Sequence, residues 1–204
     1  TVIAPPQADL DQVRNGAAAS PVDPGVWVNG NLGASQAHYI EGYSSPYRVV
    51  MENLTIGVPI TIELGYDIKH SSKHALDYLT HYDRMNDPLH SGSFTPSHSP
   101  EDIDPTDGVA GTLTGPLTYA IAAPSSAGSP VPGEPTADFN SVPAAERVMS
   151  LWNATFTGST GGAVSNNCAT GTGCFKYVIE GDLNAAQDET TFRVTFTPTA
   201  ETVI

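Results

Sequence analysis

The feature that most constrains this chain is an unbroken alternation at residues 60–68. Ile60, Ile62, Leu64, Tyr66 and Ile68 are apolar, while Thr61, Glu63, Gly65 and Asp67 fall between them. A period of two sends successive side chains to opposite faces, so this segment predicts a strand with one face buried and one face wet. Phe192, Val194 and Phe196 alternate with Thr191, Arg193, Thr195 and Thr197 in the same way. Shorter strand-like pieces occur at Val26–Val28, on both sides of the Ser44-Ser45-Pro46 turn within His38–Leu54, and near 109–123, 147–157 and 174–180. The chain holds 19 Gly and 17 Pro, and only 15% of it is charged. Few charges and many turn formers favour short strands joined by many turns. The expected fold is mainly β, an antiparallel sandwich or jelly roll, with residues 201–204 extending the last strand beyond Pro198.

One segment changes period. Ala75, Leu76, Leu79 and Tyr82 are three or four apart, with Ser71 or Ser72 before them as a helix cap. This spacing predicts one short helix over residues 71–84. Residues 1–25 carry only scattered apolar positions (Val2, Ile3, Leu10, Val13), and Pro5-Pro6 favours an extended arm, followed by a turn at Asp23-Pro24-Gly25. The expected organisation is an arm over 1–25 and a single sandwich domain over 26–204, with long loops at about 85–108 and 124–140.

Charge and cysteines narrow the class. Eight Lys and Arg against 22 Asp and Glu give a formal charge of -14. Such a surface repels phosphate backbones and anionic lipid headgroups, which argues against nucleic acid and against membrane surfaces. No apolar run approaches the roughly 18 residues of a membrane-spanning helix. The start at Thr1 predicts an exported protein whose leader has been removed. Cys168 and Cys174 flank a Gly-rich loop; an oxidised pair there adds about 2 kcal/mol and fits an extracellular location.

Four constellations could carry chemistry. Asp102, Asp104 and Asp107 before Gly108 form a carboxylate-rich turn suited to Ca²⁺, although the spacing is not that of an EF-hand and a solvated acidic turn would look the same. His70, His74 and Asp77, with His81 nearby, resemble zinc ligands on a helix but lack the HExxH pattern. Trp27, Tyr39, Tyr43, Tyr47 and Trp152 could stack sugars, or could be core. Asn53 and Asn153 begin Asn-x-Thr glycosylation patterns. The sequence Gly42-Tyr-Ser44-Ser-Pro46 ends in Pro where a nucleophile elbow needs Gly. No phosphate loop, dinucleotide fingerprint or haem motif is present, so no catalytic residue and no enzymatic activity are assigned.

The blocks WVNGNLGASQAHYIEGYSSPYRVVMENL (27–54), ITIELGYDIKHSSKHALDYLTHYDR (60–84), PVPGEPTADFNSVPAAERVMSLWNATF (130–156) and GDLNAAQDETTFRVTFT (181–197) resemble an uncharacterised β-rich domain of secreted prokaryotic surface proteins, described as prealbumin-like or pilin-related. The resemblance implies a place outside the cell and a role in adhesion or fibre building. The expected function is a structural subunit of an extracellular filament or surface layer, polymerising head to tail with itself. In this scheme the arm residues Val2, Ile3, Leu10 and Val13 add as a strand to the next subunit. The alternative is a carbohydrate-binding or adhesive module with a glycan partner.

Overall fold

A computed structural model of the chain describes residues 4–39, 43–84, 101–121, 123, 136–156, 175–177 and 184–204. Its strands are β1 (Gln7–Ala17), β2 (Ser20–Asn29), β3 (Tyr47–Glu52), β4 (Ile60–His70), β5 (Lys73–His74), β6 (Leu117–Ala120), β7 (Val148–Leu151), β8 (Ala154–Thr155), β9 (Phe175–Tyr177) and β10 (Asp188–Pro198). They form three antiparallel sheets: β2-β1-β3, then β5-β4-β10-β8 with β9 also on β10, and the pair β6-β7. The mainly β expectation therefore holds.

The two alternating segments find each other. β4 and β10 pair from Ile60↔Phe196 to Asp188↔Lys69, so Ile62 lies opposite Val194 and Leu64 opposite Phe192. Residues directly opposite share a face, and here they form one apolar wall. On the other face Thr61 meets Thr195 through their hydroxyls at 2.8 Å, and Arg193 pairs with Glu63. One buried cluster joins all three sheets: Met51 from β3, Ile68, Phe192, Val194 and Phe196 from the β4–β10 pair, and Leu151 from β7.

Three expectations are corrected. The first concerns the N-terminal arm. Residues 7–25 are not a free arm but the greater part of the β1–β2 hairpin, with β1 central between β2 and β3. Leu10 faces Val49 across the β1–β3 ladder, and Val13 is 1% exposed. Val2 and Ile3 lie outside the described residues. The Asp23-Pro24-Gly25 turn is instead an irregularity within β2. Gly25 N donates to Asp102 O at 3.0 Å, and an added Cβ there would lie 2.6 Å from Val13 Cγ1, so only glycine allows the close approach.

The second correction concerns the helix at 71–84. Ser71 and Ser72 both have positive φ (50° and 63°), the mark of a type I′ hairpin turn, and they connect β4 to β5. Ala75 N and Leu76 N then donate to Ile68 O and Asp67 O. Backbone groups committed to a strand edge cannot close helical turns, so the three-and-four spacing expresses packing of an irregular crossing segment. Among the described residues the helical pieces are Thr136–Ser141 and a 3₁₀ turn at Ala144–Glu146. The third correction concerns the C-terminus. It does not prolong β10: Met51 and Val203 exchange backbone hydrogen bonds at 2.9 and 3.0 Å, and Trp152 N donates to Ile204 O at 3.0 Å.

Arg48 fastens the sheet β2-β1-β3 to the segment 101–108. Its Nε donates to Asp11 Oδ2 at 2.9 Å, and its Nη1 donates to Pro105 O and Asp107 O at 2.8 and 2.6 Å. The guanidinium lies 4.6 Å from the centroid of the Trp27 ring, and Trp27 Nε1 donates to Asp104 O at 2.7 Å. The Arg48 side chain is only 8% exposed. Removing one partner of a pair this enclosed strands the other, at a cost of about 3 kcal/mol. Arg48→Ala is therefore expected to lower the unfolding free energy by about that amount in denaturant titration, and Arg48→Lys to recover less than half, because an ammonium cannot hold the forked contacts.

Candidate functional site

The register of the two larger sheets builds a cleft. On β3, Tyr47, Val49 and Met51 share a face with Gln12, Leu10 and Ala8 of β1. On β4, Ile62 and Leu64 share a face with Val194 and Phe192 of β10. Between these faces lies a space of about 670 Å³, lined by Leu10, Tyr47, Val49 and Met51 on one side and by Ile62, Leu64, Tyr66, Phe192, Val194 and Phe196 on the other. Residues 74–82, along with Leu151 and Ile204, complete the lining. The deep end is closed by the Met51–Val203 bridge and by Phe196, which is fully buried. The mouth stays open to solvent: Leu10 is 44%, Tyr47 42%, Tyr39 37% and Leu76 37% exposed.

Six of the eight tyrosines, Tyr39, Tyr43, Tyr47, Tyr66, Tyr78 and Tyr82, line this cleft. Burial raises the phenol pKa of Tyr39, Tyr47 and Tyr82, so these groups keep their protons. The Tyr39 hydroxyl donates to Val13 O. Tyr78 meets Phe139 edge to face at 5.8 Å. The sequence singled out Tyr39, Tyr43 and Tyr47; it missed Tyr66, Tyr78 and Tyr82, two of which stood in the segment expected to be a helix.

The two tryptophans are placed differently. Trp27 is outside the cleft lining and is committed to Arg48 and to Asp104 O, whereas Trp152 borders the cleft with the tyrosines but is 6% exposed, with backbone bonds to Ile204. Ser44 is a latch: its Oγ donates to His81 O at 2.7 Å and lies 2.9 Å from Thr80 Oγ1.

The predicted metal residues are placed apart. Asp104 Oδ1 accepts from the hydroxyl and the backbone N–H of Thr106, and these two bonds hold its pKa below the usual value. Asp102 contributes its backbone N–H, which donates to Asp23 Oδ1, and Asp107 its carbonyl to Arg48. A guanidinium thus takes the turn's carbonyl oxygens, the kind of ligand a calcium ion would need. His70 lies opposite Lys73 and His74 opposite Lys69, so the two imidazoles occupy opposite faces of the hairpin. His70 Nδ1 is 3.2 Å from Asp67 Oδ2. No group of three or more His, Cys, Asp or Glu side chains that could hold a metal occurs among the described residues. Cys168 and Cys174 lie outside the described residues.

Both Asn-x-Thr asparagines have a backbone reason to be asparagine. Asn53 and Asn153 have φ 58°, the left-handed conformation that Asn tolerates better than most residues. Asn53 Nδ2 reaches Pro5 O at 3.2 Å near the surface. Asn153 is 5% exposed; its Nδ2 donates to Thr112 O and Thr202 O at 2.9 and 3.0 Å, and its Oδ1 accepts from Thr114 N at 2.8 Å. A glycan on that nitrogen would displace these bonds, so the folded chain leaves no room for one at Asn153. Asn153→Ala removes three hydrogen bonds to part-buried backbone groups, and we expect it to cost about 3 kcal/mol in denaturant unfolding.

His81 and Asp83 mark the polar rim. His81 stacks on Tyr82 at 4.2 Å, and its Nδ1 accepts from Asp83 N at 3.3 Å. Burial lowers the His81 pKa below the ordinary 6.5 and raises that of Asp83 above the ordinary 3.8. A depressed histidine contributes stability in full above 6.5, and loses it as the pH falls below that value, because the unfolded chain takes the proton first. Asp83 acts oppositely and at lower pH, where protonation relieves the cost of burying its charge. The wild type should lose more of its denaturation midpoint than His81→Gln on going from about pH 7.5 to about pH 5.5.

Comparison with protein-family models, curated proteins and solved structures finds no match for this chain. No helix among the described residues is long and apolar enough to cross a membrane.

Proposed function

We propose that the chain is a secreted structural subunit of an extracellular filament or surface layer that joins its neighbours by β-strand addition. The observation that carries this reading is the bare edge of β4. One side of β4 pairs with β10 from Ile60 to Lys69, whereas the other side pairs with β5 at Lys69 and His70 and accepts from Ala75 N and Leu76 N at Ile68 O and Asp67 O. From Ile60 to Gly65 that second edge has no strand beside it among the described residues. Long regular edges are a standing invitation to another strand, and proteins that stay single cover or break them. Here the edge borders the apolar cleft, so an incoming strand gains main-chain hydrogen bonds from β4 and side-chain pockets beside Ile62 and Leu64. In this reading the two larger sheets are the layers of an open sandwich, and the neighbour's strand closes it. Because β1 is used within its own fold, Leu10 and Val13 are not the donor.

The extracellular location rests on the resemblance of the Trp27–Arg84 block to secreted surface domains. The formal charge of -14 keeps unassembled subunits apart and soluble. The proposal assigns no reaction, cofactor or calcium requirement.

Electron microscopy of concentrated protein should show polymers. In hydrogen exchange, the outward amides between Ile60 and Gly65 should exchange freely in the monomer and become protected on assembly. Polymers without new protection there would refute strand addition, and a chain that stays monomeric would refute the subunit role.

One observation favours the second reading, a glycan-binding surface module: the six tyrosines gathered on one cleft. Specific neutral-glycan binding by a monomer, lost in Tyr47→Ala, would select it.

A further inference from the structure

Exposed apolar side chains are concentrated at two places. Of the seven large exposed hydrophobic residues among the described ones, Leu10, Tyr39, Tyr47 and Leu76 rim the mouth of the cleft, and Ile56 and Val58 occupy the turn between β3 and β4. That turn is held rigidly. Gly57 N donates to Pro198 O at 2.9 Å, Leu54 N to Glu201 O at 3.0 Å and Val58 N to Thr55 O at 3.3 Å, and Gly57 has φ 79°. Even so, Ile56 is 57% and Val58 49% exposed. A braced turn that presents two aliphatic side chains to water is a preformed knob.

Knob and mouth lie at opposite ends of the same strands. β3 runs from Tyr47 at the mouth to Glu52 beside the turn, and β4 runs back from Ile60 beside the turn to Tyr66 at the mouth. At strand rise the two are about 20 Å apart. Their electrostatics also match. The stretch from Asn53 to Thr61 carries no charged residue. Arg48 is enclosed and neutralised by Asp11, so the remaining charged cleft residues are Arg84 against Asp77 and Asp138, a formal sum of -1. On a chain of charge -14 these are two weakly charged patches that a second copy can approach with little repulsion.

We propose that the Thr55–Val58 turn of one copy inserts into the Leu10–Tyr47–Leu76 mouth of the next. The contact is heterologous, with a different surface on each partner, so it repeats along a line and gives a fibre. It rests on the self-association reading above and supplies a longitudinal contact separate from the β4 edge.

The test uses the whole of residues 1–204. Ile56→Asp with Val58→Asp should reduce assembly, measured by light scattering and electron microscopy, at least about tenfold, since two buried aliphatic contacts are worth more than the roughly 1.4 kcal/mol of a tenfold change. The substituted side chains are exposed, so the circular dichroism spectrum should be unchanged. Independently, Val58→Cys and Leu76→Cys chains should form an intermolecular disulfide when mixed under mild oxidation, and much less when each is oxidised alone. If wild type and Asp variant polymerise equally and the mixture gives no cross-link, the knob contact is wrong while self-association stands. If the wild type never polymerises and no cross-link forms, both proposals fall.

Discussion

The buried guanidinium of Arg48 is the interaction on which the working geometry depends. It sits on the face of the β2-β1-β3 sheet turned away from the cleft, held by Asp11, by the Trp27 ring and by two carbonyls of the 101–108 segment. A buried cation is costly unless its donors are satisfied and its charge is matched, and here the fork geometry meets both demands. The consequence reaches through the sheet. Arg48 lies between Tyr47 and Val49 on β3, so anchoring it fixes the strand whose alternate residues line the cleft.

The cleft is where the fold falls short of closing on itself. The β4–β10 ladder contributes a wall of Ile62, Leu64, Phe192 and Val194, yet Ile62 and Leu64 are only half-buried. Half-buried aliphatic residues beside an unpaired strand edge are a latent driving force, because covering them releases water without new backbone strain. Intermolecular completion of the sheet and seating of a neighbour's turn both draw on this force. Tyrosines at the mouth suit either role, since each ring offers apolar area with a polar tip.

Sequence legibility followed the physics of each segment. β4 and β10 were readable because their alternation is produced by burial on one face, a pattern that survives any tertiary arrangement. β1 was hard to read: Ala8 and Leu10 alternate with Asp9 and Asp11 for only two steps before Gln12 and Val13 break the pattern, since one face of that strand borders an open cleft and the other packs against Arg48 and Trp27. Ser71-Ser72 served equally well as a helix cap or a hairpin turn, and backbone bonds from Ala75 and Leu76 to β4 decided for the hairpin. The carboxylates of residues 102–107 were singled out as calcium ligands, with a solvated acidic turn as the alternative. The carbonyls of that turn are held by a distant arginine, 57 residues away from Pro105 in sequence, which spacing alone does not reveal.

Asn153 shows how a local motif and a global fold can make opposite demands on one atom. Its amide nitrogen is the group a eukaryotic secretory pathway would modify as the nascent chain emerges, and the same nitrogen must later tie the 112–114 segment to the C-terminal tail. A sugar attached before folding would lock that knot open. Recombinant production in yeast or animal cells would therefore favour misfolded, retained material, whereas a host without oligosaccharyl transfer at this pattern spares the chain that conflict.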